Sequence, residues 1–166
     1  RVLLAQQVAL HGSNVPWAAA GALLLALLFV TLQWSVIAHG VLLGWLGALL
    51  AVMAWRGGMG LRQRGASGAR LADSTWLLLY RLNFLAHGLV WAAASGLPMD
   101  SPDAMHLALL VMMLAGICAS NFILNAFDLT AALLFGVPTM VALALRLLFD
   151  GEGVPPLMGL AVLLAL

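Results

Sequence analysis

Lysine is absent from this chain, and all of its basic residues are arginine: seven of them against six acidic residues, for a formal net charge of +1. Charge of either sign is scarce, at 8% of 166 residues, where soluble domains carry roughly 25%. A water-solvated globule is excluded on that count alone. With no basic field there is nothing to hold a phosphate backbone, so nucleic acid is excluded as a partner. The single cysteine, Cys118, rules out an internal disulfide and any cysteine-cluster metal site. Also missing are a nucleophile elbow, a phosphate-binding glycine loop, paired carboxylates and a His-Glu-x-x-His motif. No Ser/His or Asp/Asp pair within the apolar runs offers intramembrane proteolysis. No catalytic residue, cofactor or metal is therefore expected of this chain.

What it has instead is apolar length. Hydrophobic residues make up 64% of the chain, and at about 20 residues per span six spans would use roughly 120 positions. The remainder holds loops and tails but no folded extramembrane domain. The expected fold is all-α, a bundle of six transmembrane helices forming a single domain over 1–166. Residues 1–14 read as a surface segment, with Ser13 or Asn14 as N-cap and Pro16 in the first turn of a span reaching about Ser35. His39-Gly40 marks a tight turn. The second span is VLLGWLGALLAVMAW, ending at Arg56. Residues 56–73 form a glycine- and arginine-rich polar loop. Further spans cover about 75–97, 105–124 and 127–148, with Pro138 inside the fifth. An apolar run from Pro156 stops at Leu166 and is too short to cross a bilayer. It reads as a sixth helix cut short in a piece of a longer protein.

Sidedness follows from the arginines. If the 56–73 loop is cytoplasmic, Arg1, Arg56, Arg62, Arg64 and Arg70 lie inside, while Asp100, Asp103, Asp150 and Glu152 lie outside. That obeys the positive-inside rule and puts both termini in the cytoplasm, where an effector would continue after residue 166.

Small residues recur every fourth position: Ala18, Ala22 and Ala26; Gly40 and Gly44; Gly88, Ala92 and Gly96; Ala115 and Ala119. Such faces let helices approach closely in lipid, as bundle packing or as a dimer face. Ionisable groups at membrane depth are functional candidates by default. Arg81 sits roughly 9 Å below the inner end of its span at 1.5 Å per residue, and Asp128 lies at a comparable depth. The two are expected to pair, as a clamp or as a switch coupling the bundle to its last helix, with a kink at Pro138 as a possible hinge. Tyr80, Asn83, His87 and Trp91 follow at three- and four-residue intervals. This polar-aromatic stripe should face the bundle interior, either as a hydrogen-bond ladder or as the wall of a cavity for a small amphipathic ligand. Asn121 and Asn125 are expected to satisfy the backbone around the turn between spans four and five. His11 should lie near the surface. His39 and His106, at similar depth, are the one pair able to hold a haem, although interfacial caps or pH sensors suit them better.

The second span, LLGWLGALLAVMAWR, the arginine-rich loop, W-x3-Y-R-x2-F-x2-HGLVWAAASGLPMDSP, HLALLVMMLAGICASN and FGVPTMVALALRLL together resemble the N-terminal multi-span input domains of bacterial sensor histidine kinases and diguanylate cyclases. The likeness extends over roughly residues 15–148. It implies a sensor module in the bacterial inner membrane, dimeric through its parent chain. Such a module passes a signal through its last helix to a kinase or cyclase, in some cases a fatty-acid-like diffusible factor in quorum sensing. A small transporter or channel and a membrane scaffold subunit are the competing classes.

Overall fold

The computed structural model describes residues 2–65, 71–99, 104–149 and 157–161. Among them are five long helices: α1 (Val2–Gln33), α2 (His39–Gly65), α3 (Asp73–Ser95), α4 (Ala104–Leu124) and α5 (Leu129–Phe149). Each contains a stretch long and apolar enough to cross a membrane. Leu24, Leu61, Met112, Ile123 and Phe149 all point outward and stay exposed, a surface that suits lipid rather than water. The expected sixth span falls mostly outside the described residues. Of it, 157–161 are helical, and Gly159 lies against the α5 backbone, where an added Cβ would come within 2.8 Å of the Ala144 carbonyl.

Around the bundle the helices run α1, α2, α3, α5, α4 and back to α1, with α3 also touching α1. The α3–α5 crossing is the most intimate. A Cβ at Gly88 would sit 2.5 Å from the Phe135 carbonyl oxygen, so only glycine permits the approach. Thr139, next to Pro138, shares its hydroxyl proton between the carbonyls of Phe135 (2.8 Å) and Gly88 (3.1 Å). The helix runs through Pro138 without interruption.

Two helices are longer than the sequence reading allows. No surface segment or cap precedes Pro16: α1 is continuous from Val2, and the Ser13 hydroxyl turns back onto the Leu10 carbonyl at 3.0 Å. Burial explains this, because Val8 and His11 pack into the bundle. Likewise α2 continues past Arg56 through Gly-Gly-Met-Gly to Gly65. Each glycine costs a helix about 1 kcal/mol, but Met59 is buried against Val8, Trp76, Leu77 and Tyr80. An added Cβ at Gly60 would lie 3.6 Å from Val15. Tertiary packing overrides propensity here.

One end of the bundle gathers the start of α1, the end of α2, the start of α3 and the α4–α5 turn, and is called the arginine-rich end below. The far end is filled by apolar and aromatic side chains. Phe29, Trp45 and Trp91 interlock there at centroid distances of 4.9 to 6.4 Å, and the Trp45 indole donates to the Val90 carbonyl at 2.7 Å. Gln33 of α1 donates to the His106 carbonyl of α4 at 3.2 Å.

Candidate functional site

At the arginine-rich end a single carboxylate organises three elements. Asp128 immediately precedes α5, and its Oδ1 accepts the Ala131 N–H at 3.3 Å as an N-cap. The same carboxylate takes a forked pair of bonds from Arg81, Nη2 to Oδ1 at 2.9 Å and Nε to Oδ2 at 3.1 Å. Its Oδ2 also accepts from His11 Nε2 at 3.1 Å. A carboxylate only accepts, so the His11 proton sits on Nε2. That leaves Nδ1 buried without a partner inside a cage of Tyr80, Phe84 and Phe127. Burial is the largest influence on His11 and pushes its imidazole below the usual 6.5, with the Asp128 contact pulling the other way. For Asp128, burial favours the neutral acid. The Arg81, His11 and Ala131 hydrogen bonds outweigh burial and hold the carboxyl below the usual carboxylate range. Around this clamp, Gln7 donates to the Phe127 carbonyl at 2.8 Å, and Tyr80 donates to Gln63 Oε1, also at 2.8 Å.

A half-open cleft of about 240 Å³ lies next to the clamp, toward the middle of the bundle. Trp17, Gly21, Ser120 and Leu124 line it and remain exposed, which places the mouth between α1 and α4. Arg56, Phe84, His87 and Phe135 line it from deeper in the bundle and are buried. Arg56 is 7% exposed, and its guanidinium carbon lies 4.4 Å above the Phe84 ring. Its Nε has no hydrogen-bond partner, and no carboxylate pairs with it among the described residues. A cation–π contact is worth about 0.5–2 kcal/mol and does not replace the counter-ion that a buried charge ordinarily has. His87 Nε2 accepts the Trp91 indole proton at 3.3 Å, so the ring proton sits on Nδ1.

The predicted stripe is buried along its length, but its members part company. Tyr80 belongs to the clamp end, Asn83 donates to the Val52 carbonyl of α2 at 3.0 Å, and Trp91 is packed in the far-end core. Of the four, only His87 lines the cleft. Asn121 donates to the Ala132 carbonyl at 3.1 Å, and Asn125 donates back to Asn121 at 2.9 Å, tying the α4–α5 turn as expected. His39 stacks on Trp34 at 4.0 Å, and among the described residues no group of three or more His, Cys, Asp or Glu is placed to hold a metal ion.

Sequence reasoning missed His11 and Arg56. His11 falls in a segment too mixed to read as a buried helix. From the sequence Arg56 reads as the first residue of a loop, because three glycines lie within the four residues after it. The alternative signal was Met59 and Leu61, which carry an apolar pattern beyond the glycines. Comparison with protein-family models, with curated proteins and with solved structures finds no match to this chain.

Proposed function

We propose that this chain is the membrane-embedded input domain of a bacterial signalling receptor of the sensor histidine kinase type. In this reading it is an inner-membrane bundle that takes a small amphipathic signal between its helices and relays the change through its last helix. The observation that carries the reading is the cleft between α1 and α4, with apolar walls and a few convergent polar groups. Its volume lies just under the roughly 300–1,000 Å³ of drug-sized sites, which suits the head and first carbons of a single-chain molecule. In the sequence Arg56, Arg62, Arg64 and Arg70 fall between the second and third apolar runs, while Asp100, Asp103, Asp150 and Glu152 fall after the third and after the fifth, which supports a cytoplasmic arginine-rich end. The filled far-end core argues against a transport route through both halves. The Arg81–Asp128 clamp and the α5 segment around Pro138 are the proposed coupling elements between cleft and sixth helix.

Native mass spectrometry of the purified chain in mild detergent, after incubation with a bacterial lipid extract, tests this. A single-chain amphiphile should remain bound. It should be lost from Gly21→Phe, whose new side chain enters open space in the cleft, and kept by Gly40→Phe, which is equally open but at the far end. Identical spectra for all three proteins sink the reading. Signalling also requires that ligand bind one arrangement more tightly than another, so hydrogen exchange in α5 must change when ligand is added. A bundle that binds without such a change is a carrier, not a receptor.

A further inference from the structure

We infer that Arg56 is the headgroup anchor of the cleft, and that the ligand it takes is an acyl chain ending in an anion, a carboxylate or a phosphate. The inference rests on the ligand-binding reading above and adds the chemistry of the head. Arg56 is more than nine-tenths buried, lines the cleft, has an orphaned Nε and faces no carboxylate among the described residues. The other ionisable groups described in the interior of this end are answered: Arg81 and His11 both bond Asp128. A guanidinium presents a planar fork of donors matched to a carboxylate or phosphate. Phe84 lies beneath the guanidinium and supports it from one side. His87, with its proton on Nδ1, adds a neutral donor on the same wall. The mouth lies between two apolar helices, so the tail of the guest runs outward among lipid chains while the head seats inside.

The two sources of such a head, a free fatty acid and an anionic phospholipid, separate experimentally. Binding to the purified chain in neutral detergent is measured by native mass spectrometry for decanoate, decanol, phosphatidylglycerol and phosphatidylcholine. Decanoate or phosphatidylglycerol should bind with at least about tenfold preference over its uncharged or zwitterionic counterpart, the scale of a charge-assisted hydrogen bond. Arg56→Gln should lose that preference, and Arg56→Lys should recover part of it. Preference for decanoate assigns the site to a diffusible acid, and preference for phosphatidylglycerol to a membrane lipid. Melting of ligand-free Arg56→Gln guards against a structural role. Removal of an unpaired buried charge should leave the melting temperature level or higher, whereas a clear fall marks Arg56 as a packing residue and overturns the inference. If decanol binds as well as decanoate and Gly21→Phe abolishes both, the cleft is a ligand site but the anionic head is wrong. If nothing binds and Gly21→Phe changes nothing, the cleft reading itself fails.

Discussion

Arg81 and Arg56 stand on neighbouring helices toward the same end of the bundle, and their surroundings could hardly differ more. Arg81 is held by two hydrogen bonds to Asp128 and keeps 30% of its side chain exposed. Arg56 is deeper, lies on an aromatic face and has no acidic partner among the described residues. The comparison teaches that the position of a charge in an apolar span says less than the state of its partners. A satisfied arginine at depth behaves as architecture. An unsatisfied one beside a cavity is a recognition element in waiting, because the free energy that its own chain leaves unrecovered is open to a guest.

The sharpest way to break this contrast is to remove Asp128. Asp128→Ala strands Arg81 and His11 and deletes the α5 cap, and should destabilise the bundle by about 2–4 kcal/mol, discounted from the buried-pair range because Arg81 is part-exposed. Thermal melting in detergent measures it, and a loss comparable to that of a surface substitution would dissolve the distinction between the two arginines. Asp128→Asn keeps a capping oxygen and should cost less than Asp128→Ala.

Acid provides a second, milder challenge. His11 takes up a proton less readily folded than unfolded, so its contribution to stability is intact above about pH 6.5 and is lost as pH falls below that value. Asp128, held low, gives up its share only at more acidic pH, below the ordinary carboxylate value of 3.8. A first loss of melting temperature between pH 7.5 and 5.5 should therefore vanish in His11→Phe. If that variant retains the full loss, another group carries it. Smallest of all should be Arg56→Met in the empty protein, within about 0.5 kcal/mol of the parent or above it. A drop near that of Asp128→Ala would put Arg56 in the same class as Arg81.

Much of this was legible in the letters. The bounds of α3, α4 and α5 follow the apolar runs to within a few residues, and Arg81 with Asp128 could be matched from sign and depth. The stripe from Tyr80 to Trp91 was legible as a buried face but not as a site. Three- and four-residue spacing fixes which side of a helix residues share, yet those four extend over roughly 16 Å of axis at 1.5 Å per residue. What each meets is decided by other helices: Gln63 for Tyr80, the Val52 carbonyl for Asn83, the cleft for His87, Trp45 and Phe29 for Trp91. Nothing local encodes those neighbours. The unread length of α1 and α2 has the same origin, since Met59 and His11 become helical core only once the partner helices are in place.

Helix α1 is fastened to the α4 side at both of its extremities, by Gln7 and His11 to Phe127 and Asp128 and by Gln33 to the His106 carbonyl. Between these fastenings lies the stretch from Trp17 to Leu25 that borders the mouth. A rod pinned at each end does not swing aside like a door. Any widening of the mouth would come from a bend between the two fastenings, and Pro16, which leaves the helix one hydrogen bond short, lies within that stretch. A bend of that kind would open the gap as a slit, greatest at its centre and vanishing at its tips. A covalent tie between α1 and α4 at mid-length would lock it, while ties beside His11 or Gln33 would leave its travel unchanged.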